Sequence, residues 1–245
     1  FDPNLKYETL TIEKVIEFIE WQKHTKQSGW RQKSGQSGYS NIVIKKHYRQ
    51  LRSFIKWSMC KGYVDKTFPI DFPIGVKSID RPVIYLTPEE LSSVHTHNYE
   101  TGSDLDKARD FFCFCCYTSL RYSDAHNLLH SSVKHDCIKL TSAKTGRNLT
   151  IELNSGSRKI LEKYKDNGTD YALPRISNNK INILLKRIGK DCGLNDKVTI
   201  TQYYGSRRVT NTYSKYELLS THCGRRTFIC YALSIGIPVH VVMKW

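Results

Sequence analysis

The stretch LSTHCGRRTF, residues 219–228, decides how this chain is read. It sets His222, Arg225 and Arg226 within five residues at the start of a helix. Ser220 and Thr221 are N-cap residue types, and the apolar run FICYALSIG follows. A helix N-terminus carries partial positive charge, so cations there are locally unfavourable unless an anion sits among them. His222 and Arg225 are three apart, share one helix face and can grip one group together. A phosphate is the natural candidate. The alternative is a solvated basic helix start, and this segment alone supports the two about equally.

Composition widens the case for an anion. The chain has 245 residues, room for two modest domains, with 39% hydrophobic and 25% charged residues as in an ordinary globular protein. Its 38 Lys and Arg against 23 Asp and Glu leave a net charge of +15. Residues 1–80 carry 14 basic and 8 acidic side chains and the remainder 24 and 15, so no basic tail accounts for the excess. A polyanion is the leading partner, with nucleic acid ahead of an anionic membrane surface. The longest apolar run, FFCFCCY, is far short of the roughly 20 residues that span a bilayer. FDPNLKYETL does not read as a signal peptide. The eight cysteines lack Cys-x-x-Cys pairing and read as buried free thiols of a reducing cytoplasm.

The first part reads as helical. LTIEKVIEFIEWQKH places Ile12, Val15, Ile16 and Ile19 on one face, and a Gly- and Ser-rich loop, KSGQSGYS, follows. A long helix then runs from about Asn41 to Lys61, with Ile44, Tyr48, Leu51 and Ile55 as its core stripe. Lys45, Arg49, Arg52 and Lys56 form a second, cationic stripe, suited to a DNA backbone. Residues 65–84 hold three prolines and no helical period and read as a linker between domains 1–64 and 85–245. LTPEEL opens the second domain as a capping box, with Thr87 as N-cap, Pro88 at the first helical position and Glu90 closing it. Helices are expected near 104–120, 157–165 and 178–191. Hairpins are expected turning at Lys144-Thr145-Gly146 and at Gly205-Ser206. A helix stop falls at Gly236 and a new start at Pro238. The fold class is therefore mainly α with small β-hairpins.

Three separated segments carry the candidate chemistry. YTSLRYSDAHNL sets Arg121 just past a buried helix, with Asp124 three residues on to orient it. TSAKTGRNLTI sets Lys144 at a hairpin tip, from which a long side chain can swing into a groove, and THCGRR supplies His222 and Arg225. Two arginines, a lysine and a histidine without a matching carboxylate cluster suit phosphoryl chemistry without metal or other cofactor, since divalent-ion nucleases need several Asp or Glu ligands. His95, His97, His126, His130 and His135 have no metal-ligand spacing, and His240 reads as surface.

Arg121 in TSLRYSD, Lys144 in AKTG and His222-x-x-Arg225 in LSTHCGRRTF resemble, in order and separation, the tyrosine recombinase (phage integrase) family. The added hairpin before the last motif is similar to integrases of conjugative or mobilisable transposons. The resemblance implies a helical, SAM-like core-binding domain and then a catalytic domain. It implies an enzyme that cleaves and rejoins DNA through a 3′-phosphotyrosyl link without metal or ATP, as a homotetramer on paired double-stranded sites, with accessory DNA-bending or directionality proteins, in the bacterial cytoplasm. Arg121 and Arg225 would hold the non-bridging oxygens, Lys144 would protonate the leaving 5′-oxygen, and His222 would act as general acid or base. Arg207, Arg208 and Arg226 would contact DNA, although a solvated turn serves equally for the first two. Arg226 is expected off the His222 face, in a backbone contact or a salt bridge.

Two departures accompany the resemblance. The family usually has Gly where Ser119 stands. Its nucleophilic tyrosine lies beyond a further motif, for which VHVVMKW reads as the lead-in, so the tyrosine is expected after Trp245. Tyr231, six residues past Arg225, reads as core, and Tyr203, Tyr204, Tyr213 and Tyr216 precede the motif. A non-catalytic integrase-like DNA-binding protein and, less favoured, a type IB topoisomerase remain alternative readings.

Overall fold

The computed structural model describes residues 2–25, 38–69, 71 and 73–244, so that residues 33–37 of the glycine-serine loop, and Trp245, lie outside the described residues. The chain divides into two units. The first comprises residues 1–81 with 199–212, and the second residues 82–198 with 213–245.

The first unit is built on two helices. In α1 (Ile12–His24), capped by Thr11 accepting from the Lys14 N–H, the buried positions are Val15, Ile19 and Gln22. Ile16, expected on that face, is 44% exposed. Buried Gln22 extends the seam instead, because its amide oxygen meets His47 Nδ1 at 2.5 Å. In α2 (Asn41–Cys60) Ile44 and Ile55 are buried, and Tyr48 and Leu51 pack beside them, as the stripe predicts. Val64 and Val76 complete this core. The described residues of the segment read as a linker form no helix or strand, yet Val76 belongs to the first core and Ile84 to the second. Gly38 closes the loop back on α1 at φ 83°, where a Cβ would meet the Lys23 carbonyl oxygen at 2.0 Å. No other residue fits there.

The second unit is organised around α4 (Asp104–Thr118), whose Phe111 to Cys116 are all buried. A helix apolar on every side needs neighbours on every side. They are α3 (Pro88–Thr96), α5 (Tyr122–His126), α6 (Ser155–Lys163), α7 (Asn178–Asp191) and α8 (Thr221–Ser234). The α3 capping box forms as the sequence predicts, with Glu90 N donating to Thr87 Oγ1 and Thr87 N to Glu90 Oε2. The polar end of α4 carries two buried carboxylates, Asp106 and Asp110, held jointly by Arg109 and by Lys163 of α6 at 2.6–2.7 Å. Buried ions persist only when paired and hydrogen-bonded in this way. Cys113, Cys115, Cys116 and Cys223 are buried free thiols, whereas Cys60 is exposed.

Both expected hairpins form. The strands β1 (Cys137–Thr141) and β2 (Asn148–Glu152) pair antiparallel, Cys137 opposite Glu152 and Thr141 opposite Asn148. The strands β3 (Lys197–Tyr204) and β4 (Arg207–Ser214) pair around Gly205-Ser206, and Gly205 takes a φ of 59°. A glycine at positive φ in the first position of a two-residue turn suits strand twist. After α8 the chain turns at Gly236 (φ 85°) into α9 (Val239–Val242). No helix among the described residues is long and apolar enough to cross a membrane.

Candidate active site

The site assembles where α4 ends. Ser119 terminates that helix at φ 61°, the one non-glycine residue with positive φ among the described residues. This left-handed cap turns the chain so that buried Leu120 is followed by Arg121, the N-cap of α5. Ser119 also holds the second arginine, for Arg225 Nη1 donates to its carbonyl oxygen at 2.7 Å and its Oγ at 3.1 Å.

Arg225 reaches Ser119 because α8 lies close against α4. A Cβ on Gly224 would sit 3.0 Å from Cys115 Cβ, so the glycine sets the approach. The start of α8 is held from α7. Ser220, the expected cap, makes no side-chain cap bond. The Thr221 N–H instead donates to Asn182 Oδ1 at 2.9 Å and its hydroxyl to Asn178 Oδ1 at 2.8 Å. The helix end that bears His222 is thus fixed by a neighbour. At mid-helix, the Leu86 N–H donates to Thr227 Oγ1 at 2.9 Å, which ties α8 to the segment before α3.

Asp124 is buried and does not orient Arg121 as the spacing suggests. Its carboxylate accepts from Ala143 N at 2.9 Å and Ser142 Oγ at 3.2 Å. It anchors the β1–β2 turn, and so places Lys144, the next residue. Lys144 itself is exposed, in a turn closed by Ser142 and Arg147 and by Gly146 at φ 65°.

These residues share one electrostatic environment. Burial, and then Arg226, Arg225, Arg121 and Lys144 in decreasing order, hold the His222 imidazole below its ordinary pKa of 6.5. Burial and Arg121 likewise depress the Arg225 guanidinium, against an opposing pull from Asp124. Arg226 therefore acts on His222 more strongly than either expected arginine, and it has no carboxylate within ion-pair distance among the described residues. Four cations beside a histidine, with the Asp124 carboxylate committed to the hairpin, are an arrangement suited to a polyvalent anion. The cluster borders a cavity of about 590 Å³ lined by Ser119, Arg121, β2, Arg225, Phe228 and Lys244. Among the described residues no three His, Cys, Asp or Glu side chains gather as a metal-binding group.

The remaining cations belong to the first unit. On α2, Arg49 and Lys56 are exposed, whereas Lys45 Nζ donates to Ser78 Oγ at 2.6 Å and Arg52 is ion-paired with Asp71. The cationic stripe is therefore interrupted at Arg52. Arg207 and Arg208 are exposed at the start of β4. Tyr231, read as core, is 52% exposed. The positioning role of Ser119, and Asn182 altogether, escaped the sequence reading. A single residue after a helix offers a weak cap signal for the first, and nothing local marks the second.

No family model matches the chain, and no curated protein does. Solved structures do. The Tn1549 transposon integrase in complex with circular intermediate DNA superposes with a TM-score of 0.60 at 14% identity, over 96% of this chain and 76% of the other. A lambda integrase dimer bound to a COC′ core site gives 0.62 at 14% identity, over 96% and 75%. A lambda integrase tetramer bound to a Holliday junction gives 0.61 at 13%, over 96% and 63%. The chain has the integrase fold.

Proposed function

We propose that this chain contains the core-binding and catalytic parts of a site-specific tyrosine recombinase. The observation that carries the reading is the convergence of Arg121, Lys144, Arg225 and Arg226 on His222, and the fold shared with DNA-bound integrases supports it. In this reading Arg121 and Arg225 hold the two non-bridging oxygens of a scissile phosphate and stabilise charge as phosphorus becomes five-coordinate. Arg225 is positioned by the Ser119 carbonyl, and Arg121 has no hydrogen-bond partner for its guanidinium among the described residues.

A tyrosine oxygen attacks phosphorus, forming the O–P bond as the bond to the 5′-oxygen breaks. Lys144 delivers a proton to that oxygen, and His222 takes the tyrosine proton. The covalent link conserves the bond energy, so religation runs backward through the same groups. Tyr117 and Tyr122 are not the nucleophile in this reading. Their hydroxyls are engaged, with His95 Nδ1 at 2.5 Å and with the Ile176 carbonyl at 2.8 Å. The attacking tyrosine follows the His222-x-x-Arg225 motif in the chain. Strand exchange then takes four protomers on two duplexes, a stoichiometry supported by the lambda integrase tetramer bound to a Holliday junction.

The test is a covalent adduct. Nicked DNA duplexes, from which the 5′-hydroxyl fragment diffuses away, trap a protein–DNA species that survives detergent. Arg121→Ala and Arg225→Ala are each expected to reduce its yield at least about a hundredfold, as loss of an oxyanion-stabilising donor does. Undiminished adduct in both variants would overturn the assignment.

A further inference from the structure

The β3–β4 hairpin is used by none of the chemistry above, and its composition is unusual. Residues 197–214, KVTITQYYGSRRVTNTYS, contain no Asp or Glu in a chain that has 23 of them. Thr199 Oγ1 lies 3.2 Å from Thr212 Oγ1, and Thr201 Oγ1 lies 3.2 Å from Thr210 Oγ1. These pairs fix the register and put Tyr203 opposite Arg208 on the same face. Thr199, Arg208, Thr210 and Thr212 are exposed there.

Each hydroxyl pair has two protons and uses one within the pair, so one O–H per pair is left to donate outward. Successive pairs are two residues apart, about 6.8 Å along an antiparallel strand. That matches two phosphate steps of about 3.4 Å measured along a duplex axis. A ladder of neutral donors ending in an arginine, with no acid in either strand, is complementary to a phosphodiester backbone.

The ribbon is also held rigidly. Asn41, fully buried at the start of α2, donates from Nδ2 to the Gly205 carbonyl at 2.8 Å and accepts from the Gly205 N–H at 2.8 Å. Its other Nδ2 proton goes to the Lys77 carbonyl at 2.8 Å. Arg81 donates to Gln202 Oε1 at 2.6 Å on the opposite face. The tip is thus tied one helical turn from Lys45, and Arg207 and Arg208 extend the cationic surface of the first unit.

We propose that the Thr199–Thr201–Thr210–Thr212 face of this ribbon, with Tyr203 and Arg208, is a preorganised DNA-backbone contact. The proposal rests on the recombinase reading and adds a binding element to it. The experiment is fluorescence anisotropy with a labelled mixed-sequence DNA duplex over a series of salt concentrations. Arg208→Ala is expected to weaken binding and to reduce the slope of log affinity against log salt by about 1. The double variant Thr201→Val, Thr210→Val removes neutral donors at constant shape and β-branching. It should weaken binding roughly three- to tenfold with the salt slope unchanged, at a melting temperature within about 2 °C of the parent. Parent-like affinity and slope in both variants would overturn the ribbon contact and leave the recombinase reading standing. An altered sedimentation of the DNA-free variants, with parent-like DNA affinity, would overturn it in favour of contact with a second copy of the chain. Failure of the parent protein to bind the duplex at all would remove both.

Discussion

Ser119 shows how much of the site depends on one backbone angle. A non-glycine residue at φ 61° costs roughly 1 kcal/mol, and here the conformation both ends α4 and aims a carbonyl at Arg225. Ser119→Gly relieves the strain and keeps the carbonyl, so its stability should stay within about 1 kcal/mol of the parent. Ser119→Val puts a β-branched side chain where φ is positive and should cost about 2–3 kcal/mol, read as a lower melting temperature. His222 supplies a second prediction at this scale. Burial, and then the neighbouring cations, disfavour its imidazolium, so its folded pKa lies below the unfolded value. Between those two values the unfolded chain binds more protons, and the contribution to stability is present above pH 6.5 and lost as pH falls through the folded pKa. A bound phosphate reverses the sign. An NMR titration should find the His222 midpoint below 6.5 in the free protein and move it upward when inorganic phosphate is added. A midpoint insensitive to phosphate would mean that the cation cluster does not hold anions at His222. Arg121, Lys144, His222 and Arg225 could be singled out from the sequence because each lies in a short motif. Ser119's angle, Asp124's grip on the hairpin and Arg226's proximity were not, because each depends on side-chain direction.

At the scale of elements, local chemistry predicted much of the architecture. The Thr87–Glu90 box, the turn at Gly205 and the α7 span all follow from residues close in sequence. What local chemistry could not show is how α8 is seated. Its N-terminal N–H is satisfied by Asn182, 39 residues away, and its approach to α4 is set by Gly224 against Cys115. Gly224→Val should be strongly destabilising. Its Cβ meets Cys115 at 3.0 Å and the Cys115–Cys116 backbone at 3.4 Å, so the helices must separate at a cost of about 2–3 kcal/mol. The same separation pulls Arg225 from Ser119. Asn182→Ala instead removes a cap and should cost about 1 kcal/mol, whereas Asn182→Asp retains an acceptor and should not. Urea unfolding of the three variants distinguishes a packing loss from a capping loss by rank. Equal midpoints for Asn182→Ala and the parent would mean that water serves the Thr221 N–H as well as the amide does.

For the whole molecule, the sequence separates a helical first part from a larger second part, and the buried apolar residues fall into two clusters of unequal size. The first contains six buried apolar residues, whereas the second surrounds all of α4. Sequence order could not reveal that residues 199–212 belong with the first unit, because the contact responsible joins Asn41 to Gly205 across 164 positions. A small core supports less stability, so the first unit should open at lower free energy than the second. The hairpin tip should then share the fate of α1 and α2, although it lies between α7 and α8 in the chain. Native-state hydrogen exchange tests this directly. Amides of Thr199–Thr212 should lose protection together with those of α2 as denaturant is added, while α4 and α8 remain protected. Asn41→Ala removes three hydrogen bonds and leaves the Gly205 N–H without its acceptor. At roughly 1 kcal/mol per bond, exchange at the tip should rise at least tenfold with that in α4 unchanged. Tip amides that exchange with α4 in the parent, and are indifferent to Asn41→Ala, would place the ribbon energetically in the second unit. A ribbon that opens with α2 carries its threonine ladder and Arg208 as part of the first unit's binding surface, and the two sets of cations can then be varied independently.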